Sequence, residues 1–344
     1  MNVVAGARAT IRDVARVAGV STTTVSHAFS GNGQVEAGTR ERIFRVAREL
    51  RYRPNRHAQR LRTGEAHLIV LVSSTPFAIA GGVSRLGFLM EIAAVAASAA
   101  LARGLALVLA PPTEARAPAL DALDVDGALV VEPVARDAHL EHFRRLGVPA
   151  VSIGRPPGRR PLVPFVDLQS GPTVRLLLEH LWAQGARRIG LVVGAERRTS
   201  HVEGEAAYRA FAEAHGMAPV AVLVDEASGE AGGRAAVHDL LREHPRLDGL
   251  CVPVDVLAVG ALAALEDAKR RVPEDVVVAT RYDGIRARTA VPALTAVDLH
   301  LEEVGRAAID LLFEHLTGEA ERTSVMAPLP DLMIRASSLR HGAA

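Results

Sequence analysis

The sequence predicts two architectures in series: a small all-α head of three short helices, then an α/β body of doubly wound parallel sheets in two lobes. Apolar residues recur at helical spacing three times between residues 10 and 50. From His67 onward, short apolar runs alternate with helical stretches. Charge divides at the same boundary. Residues 1–64 hold twelve Arg and no Lys against Asp13, Glu36, Glu41 and Glu49, a net of +8. The remaining 280 residues hold 28 basic and 35 acidic groups, a net of −7, so the whole-chain value of +1 conceals the split. At roughly 150 residues per domain, 344 residues make two or three domains. The 49% apolar content can fill sizeable cores.

Thr10 is placed to cap the first helix, with Asp13 three positions on. Ile11, Val14, Ala15 and Ala18 then mark one apolar face. Gly19 ends that helix and permits a sharp turn, with Val20 plugging the angle. Ser21 caps a second helix, Thr22 to Phe29, whose inner face is Val25, Ala28 and Phe29. Its other face is Thr22, Thr23, Ser26 and His27, all small or polar and able to hydrogen-bond base edges or phosphates. Two helices joined by a tight glycine turn form a helix-turn-helix. After the loop Gly31-Asn32-Gly33, Thr39 is expected to cap a third helix in which Ile43, Val46, Ala47 and Leu50 repeat. A head at +8 is the electrostatic footprint of phosphate binding. The alternative is a solvated arginine-rich face in a chain with 39 Arg and one Lys.

Pro54 stops the third helix. Asn55 then caps a short fourth segment, Arg56 to Arg62, closed by Thr63-Gly64. Isolated helices below about 12–15 residues are marginal in water, and Arg56, Arg60 and Arg62 repel one another. The segment is expected to order when phosphates neutralise it. Leu61, its one large apolar residue, either contacts its own domain or enters the minor groove as a wedge between base pairs.

The stretch ATIRDVARVAGVSTTTVSHAFSGNGQV…RYRPNRHAQRLR resembles the DNA-binding head and hinge of the LacI family of bacterial repressors, without a gap from Ala9 to Arg62. The turn AGVS, the readout helix TTTVSH and the hinge A-x-x-L-R occur in family order and spacing. The resemblance implies a palindromic double-stranded DNA operator as partner. It places the contacts at Thr10, Ser21, Thr22, Thr23, Thr24, Ser26 and His27 in the head, and at Asn55, Ala58, Leu61 and Arg62 in the hinge. By that resemblance Thr22, Thr23 and His27 read bases, Leu61 intercalates with Arg62 beside it, and Ala58 lets two hinge helices approach closely. Gly33 stands where relatives often carry a basic residue.

In the body, HLIVLVS reads as a buried parallel strand, followed by an Ala-rich helix from Arg85 to Arg103 and the strand LALVLA. GALVVEP, VPAVSIG, VPFVD, RIGLVVG, VAVLVD, LDGLCVPV, DVVVAT, ALTAVDL and SVMAPL follow, mostly with helices between them. About 280 residues are too many for one such sheet and suit two lobes. DGALVV, the strand ending in Asp167, PALTAVDLHLEEVGRAAIDLL and LPDLMIRASS are similar to the family's effector core, which is periplasmic-binding-protein-like. That implies two lobes, a ligand cleft between them, and chain crossings near Asp167, Val297 and Pro328. The implied organisation is a helix-turn-helix domain over 9–54, a hinge over 55–65 and an effector core over 66–342. Its N-lobe would be 66–168 and 298–328, and its C-lobe 169–297 and 329–342.

Polar groups at strand C-termini must furnish such a cleft. Ser73, Ser74 and Phe77 follow the first strand, and Arg155 offers a cation. Asp283, in RYDGI, matches the family's ligand-binding acid; a carboxylate accepts two hydroxyl hydrogen bonds, which suits a sugar or related metabolite as effector. Arg281 and Gly284 replace the family's Gly and second Asp, Gly204 its effector-gripping Arg, and Val254 the Asn of its Asn-Asp pair. Almost nothing follows Ser338, so a tetramerising heptad helix is not expected and a homodimer is.

No G-x-x-x-x-G-K-[ST] and no G-x-S-x-G occurs, so NTPase and α/β-hydrolase readings lack support. Gly31-Asn32-Gly33 lacks the preceding strand of a dinucleotide loop. His139 and His142 sit three apart without a third ligand, so no metal is expected. Cys251, the single cysteine, reads as a core residue, excludes an intramolecular disulfide and fits a reducing compartment. No apolar run reaches the roughly 18 residues of a spanning helix, and MNVVAGARAT has no signal-peptide pattern. The expectation is a cytoplasmic, ligand-controlled repressor with no cofactor and no catalysis. The alternatives are a solute-binding receptor, opposed by the basic head and the missing signal peptide, and a sugar-acting enzyme, for which no catalytic pair is found.

Overall fold

The structure, a computed structural model, describes residues 9–30, 34–52, 66–80, 87–110, 122–158, 160–319 and 321–340. The hinge residues Asn55, Ala58, Leu61 and Arg62, as well as Gly33, Arg85 and the side chain of Phe77, lie outside the described residues. Two compact units divide between Ala66 and His67.

In the first unit, α1 (Ile11–Ala18), α2 (Thr22–Ser30) and α3 (Ala37–Glu49) enclose one small core. Val14, Ala15 and Ala18 meet Val25 and Ala28, and both sets meet Ile43, Val46 and Ala47. Phe29 lies edge-on to Phe44 at 5.0 Å and to Tyr52 at 5.9 Å, closing one side. The Asp13 carboxylate accepts from the Thr10 N–H at 3.0 Å and the Thr10 hydroxyl at 2.7 Å, fixing the start of α1. Gly19, at φ +66°, takes the left-handed conformation that ends it. The third helix starts earlier than expected. It begins at Ala37 with Glu36 before it, and Thr39 lies within its first turn. That end is exposed, so water can satisfy the first-turn N–H groups without a side-chain cap.

The second unit contains two parallel sheets and, beside their longer helices, two short ones, α4 (Phe77–Ala80) and α11 (Ile285–Thr289). The first takes β1 (Leu68–Ser73), β2 (Ala106–Leu109), β3 (Gly127–Val131), β4 (Ala150–Ile153), β5 (Phe165–Asp167) and β11 (Ser324–Met326), in the order β11-β5-β4-β3-β1-β2. Alternate residues face opposite layers. Ile69, Leu71, Leu129 and Val131 pack with α5 (Phe88–Ala102) and α12 (Leu301–Thr317). Val70, Val72, Ala128 and Val130 pack with Leu140 and Phe143 of α6 (Ala138–Leu146).

The second sheet takes β6 (Ile189–Gly194), β7 (Val220–Val224), β8 (Gly249–Cys251) and β9 (Val277–Ala279), in the order β7-β6-β8-β9. Helices α7 (Ser170–Ala183) and α8 (Thr199–Ala214) cover one face, and α9 (Gly229–Glu243) and α10 (Asp255–Asp267) the other. Cys251 belongs to this core, where burial pushes its thiol up to about 12.

After β5 the chain leaves the first sheet for α7, and it returns between β10 (Ala296–Asp298) and α12. It departs again between β11 and β12 (Asp331–Met333), and β12 pairs antiparallel with β10. The final segment is fastened to the second lobe: the Ser337 hydroxyl donates to the Val278 carbonyl at 2.6 Å and accepts from the Thr295 N–H at 2.8 Å. Parallel sheets covered on both faces by helices are the body fold expected from the alternation. No helix among the described residues is long and apolar enough to cross a membrane.

Candidate functional site

On the head, α2 turns Val25 and Ala28 inward and leaves Thr22 and Thr23 exposed, with Ser26 and His27 half-buried at the rim. Ser21 is exposed, and its hydroxyl accepts the Thr24 N–H at 3.0 Å and lies 2.8 Å from the Thr24 hydroxyl. Ser21, Thr24 and Thr10 thus hold the starts of α1 and α2, while Thr22, Thr23, Ser26 and His27 form the outward polar surface. Arg42, Arg45 and Arg48 on α3 are also exposed, and composition alone does not single them out.

In the second unit, the C-terminal ends of β1 and β3 face the segments after β6 and β9 across a cleft. Its cavity, of about 90 Å³, is lined on the apolar side by Ile79, Phe88, Leu89, Tyr282 and Leu299. The polar side carries a buried network that joins the lobes. Arg198, just before α8, donates to the carbonyls of Ser74, at 2.7 Å, and Glu132 in the first lobe. Its own-lobe partner is the Glu226 carboxylate at 3.1 Å, with both side chains 3% exposed. The Glu132 carboxylate crosses the other way, accepting from Arg281 at 3.0 Å and from the Ser200 hydroxyl at 2.7 Å.

Glu132 has φ +50°, a left-handed conformation that costs a non-glycine residue on the order of 1 kcal/mol. The backbone turns there so that the carboxylate points across the cleft. Burial works to raise its proton affinity, but Arg281, the Ser200 hydroxyl and Arg198 outweigh it and hold the carboxyl below its ordinary value. Asp255 also lines the cavity; burial raises its carboxyl, opposed by Arg286 at 4.0 Å.

Ser73 lies on this cavity, and Ser74 lies at the adjoining mouth of the cleft. Arg155 and Asp283 do not line this cavity. Arg155 is not a cavity residue. It pairs with Glu203 on α8 and sits 3.9 Å from Asp167, tying the lobes at another point, because two carboxylates there compensate its charge. Asp283 lies away from this cavity, held by Arg335 at 2.6 Å and Arg288 at 3.2 Å. Two guanidiniums thus compensate the Asp283 carboxylate. The polar residues lining this cavity include Glu132, Arg198, Ser200, Glu226 and Arg281. Glu132 could have been found in the sequence, since it directly follows the apolar strand run GALVV, where a cleft takes its polar groups.

Residues 10–55 match the family model for bacterial regulatory proteins of the lacI family, and residues 178–338 match that of the periplasmic binding protein-like domain. The chain is 33% identical over 345 residues to the HTH-type transcriptional regulator CelR of Thermobifida fusca, covering 96% of this chain and 98% of the relative. It belongs to the LacI family. The structure of the lac repressor dimer bound to operator and the anti-inducer ONPF superposes with a TM-score of 0.81 at 25% identity, covering 97% of this chain and all of the other. The CelR–cellobiose complex superposes with a TM-score of 0.69 at 30% identity, covering 96% and 100%. As a LacI-family member the chain is an effector-controlled, DNA-binding transcriptional regulator, and its relatives are regulators rather than enzymes.

Proposed function

We propose that this regulator is a cytoplasmic repressor, acting as a homodimer whose two heads each bind half of a palindromic operator. The observation that carries the reading is the outward polar face of α2, set on a compact head that is strongly basic in sequence. Thr22, Thr23, Ser26 and His27 meet base edges, while Thr10, Ser21 and Thr24 place the helix N-termini against phosphates. Residues 9–54 form the reading domain and 55–65 the hinge, with Leu61 as the wedge in the central minor groove. Residues 66–342 form the effector core, and the ligand lies in the cleft lined by Ser73, Glu132, Arg198, Ser200, Asp255 and Arg281. Support comes from relatives whose solved complexes hold operator and cellobiose respectively. The effector acts through its differential affinity for two relative placements of the lobes.

Selection of binding sites from random duplexes, followed by gel retardation, tests this reading. A palindromic consensus is expected, with affinity falling steeply as salt rises. Recovery of no preferred sequence would reject it. In the same assay His27→Ala should relax preference at one base position per half-site, a loss of about 1–3 kcal/mol in discrimination. Leu61→Ala should weaken binding to the consensus more than binding to random duplex, and equal losses would remove the wedge.

A further inference from the structure

Building on the cleft reading above, we infer that the effector is a polyhydroxy carboxylic acid, a sugar acid, whose carboxylate takes the seat that the Glu132 carboxylate occupies between Arg281 and Ser200. That seat is built for a planar anion: one oxygen accepts from Arg281 at 3.0 Å and the other from the Ser200 hydroxyl at 2.7 Å. Arg281 has unused capacity. Its Nε and Nη2 are buried without a hydrogen-bond partner among the described residues, and the residue lines the cavity. The occupant comes from the opposite lobe, on a residue held at φ +50° at the end of β3.

Volume makes withdrawal necessary. A cavity of roughly 150 Å³ is what a benzene ring fills; the roomier mouth of the cleft, about 580 Å³, does not reach Arg281 or Ser200, and the part that does offers about 90 Å³. A six-carbon sugar, with twice the heavy atoms of benzene, reaches Arg281 only if a side chain leaves. Charge then selects the ligand. A neutral sugar that displaced Glu132 would strand Arg281, 12% exposed, without a counter-ion, the costly way to break a buried pair. A carboxylate restores the pair as it enters. Displacing Arg198 instead would break its pair with Glu226 and its bonds to two carbonyls. The remaining polar lining calls for hydroxyls, because Asp255 can accept hydrogen bonds that a polyol donates. Phe88, Tyr282 and Leu299 offer an apolar surface to its C–H face.

Calorimetric titration of the full chain with four- to six-carbon aldonates and uronates, each against its neutral sugar or alditol, tests the inference. Operator affinity is followed in the same samples. At least one acid should bind about tenfold more tightly than its neutral counterpart and change operator affinity. Glu132→Gln removes the incumbent charge and should tighten acid binding several-fold, whereas an ordinary hydrogen-bonding role for Glu132 would weaken it. Arg281→Gln should abolish the preference for acids. The double variant E132Q/R281Q, which buries no unpaired charge, should fold and also show no preference. Binding by neutral sugars alone, by no acid in the series, or weakened acid binding in Glu132→Gln would overturn the inference. Neutral sugars that alter operator affinity would do so while leaving the regulator reading intact, and absence of any operator binding would strike that reading instead.

Discussion

Ile43→Ala should unfold the head and reduce operator affinity at least a hundredfold while the melting of the body stays unchanged. Ile43 is wholly buried, and the other buried residues of its core are small: three valines and four alanines. Truncating a buried isoleucine to alanine costs about 2–5 kcal/mol. At roughly 0.05–0.15 kcal/mol per residue, a head of 46 residues has only about 2–7 kcal/mol of stability. The loss is therefore comparable with the whole. Ile43→Val, costing about 0.5–1.5 kcal/mol, should retain a folded head and serves as the control. Amide spectra of the head and gel retardation with the selected operator give the answer. Undiminished operator binding by Ile43→Ala would show that DNA contact, rather than this core, sustains the head.

Arg198→Met should lower the stability of the body by about 3–5 kcal/mol, the usual consequence of removing one member of a buried ion pair. Among the described residues, Glu226 would keep only His201, 3.4 Å away, and the carbonyls of Ser74 and Glu132 would lose the Arg198 donor. Part of the loss should appear as opening of the cleft, since two of those bonds cross it. The denaturant midpoint and the solution radius of gyration report the two components. Arg198→Met combined with Glu226→Gln should recover most of the loss, because no charge is then left buried. Arg306→Ala, whose partner Glu302 is exposed, should leave the midpoint where it was. An equal effect from both single variants would mean that burial of the Arg198 pair contributes nothing special.

The head was legible because its signals are local. Thr10 with Asp13, Gly19, and the apolar spacing of Val14, Ala18, Val25 and Ile43 each depend on residues a few positions apart. The exception, the start of the third helix, turned on a weak preference: Thr39 is a good cap by type, but an exposed helix end tolerates Glu36. The sheets were legible from apolar runs, and even Cys251 fell where its strand predicted. The cleft was not. Arg198 and Glu132 are 66 residues apart in sequence, and Arg281 and Glu132 are 149 apart. No periodicity connects them, and only the folded topology brings strand ends from two sheets together. Asp283 shows the same limit from the other side. Its residue type and family position suggest a ligand contact, and only the fold shows that its carboxylate is paired with Arg288 and Arg335.

The body's chain passes from one sheet to the other three times, and two of those passages are laced into the short antiparallel ladder of Ala296–Asp298 with Asp331–Met333. Three adjacent tethers act like the pins of a door: they suppress sliding and twisting and leave rocking about a single axis. A side-chain exchange worth an ångström or two deep in the cleft would consequently be magnified at the far edges of the lobes, in a direction dictated by the tethers and not by the identity of the molecule that prompted it.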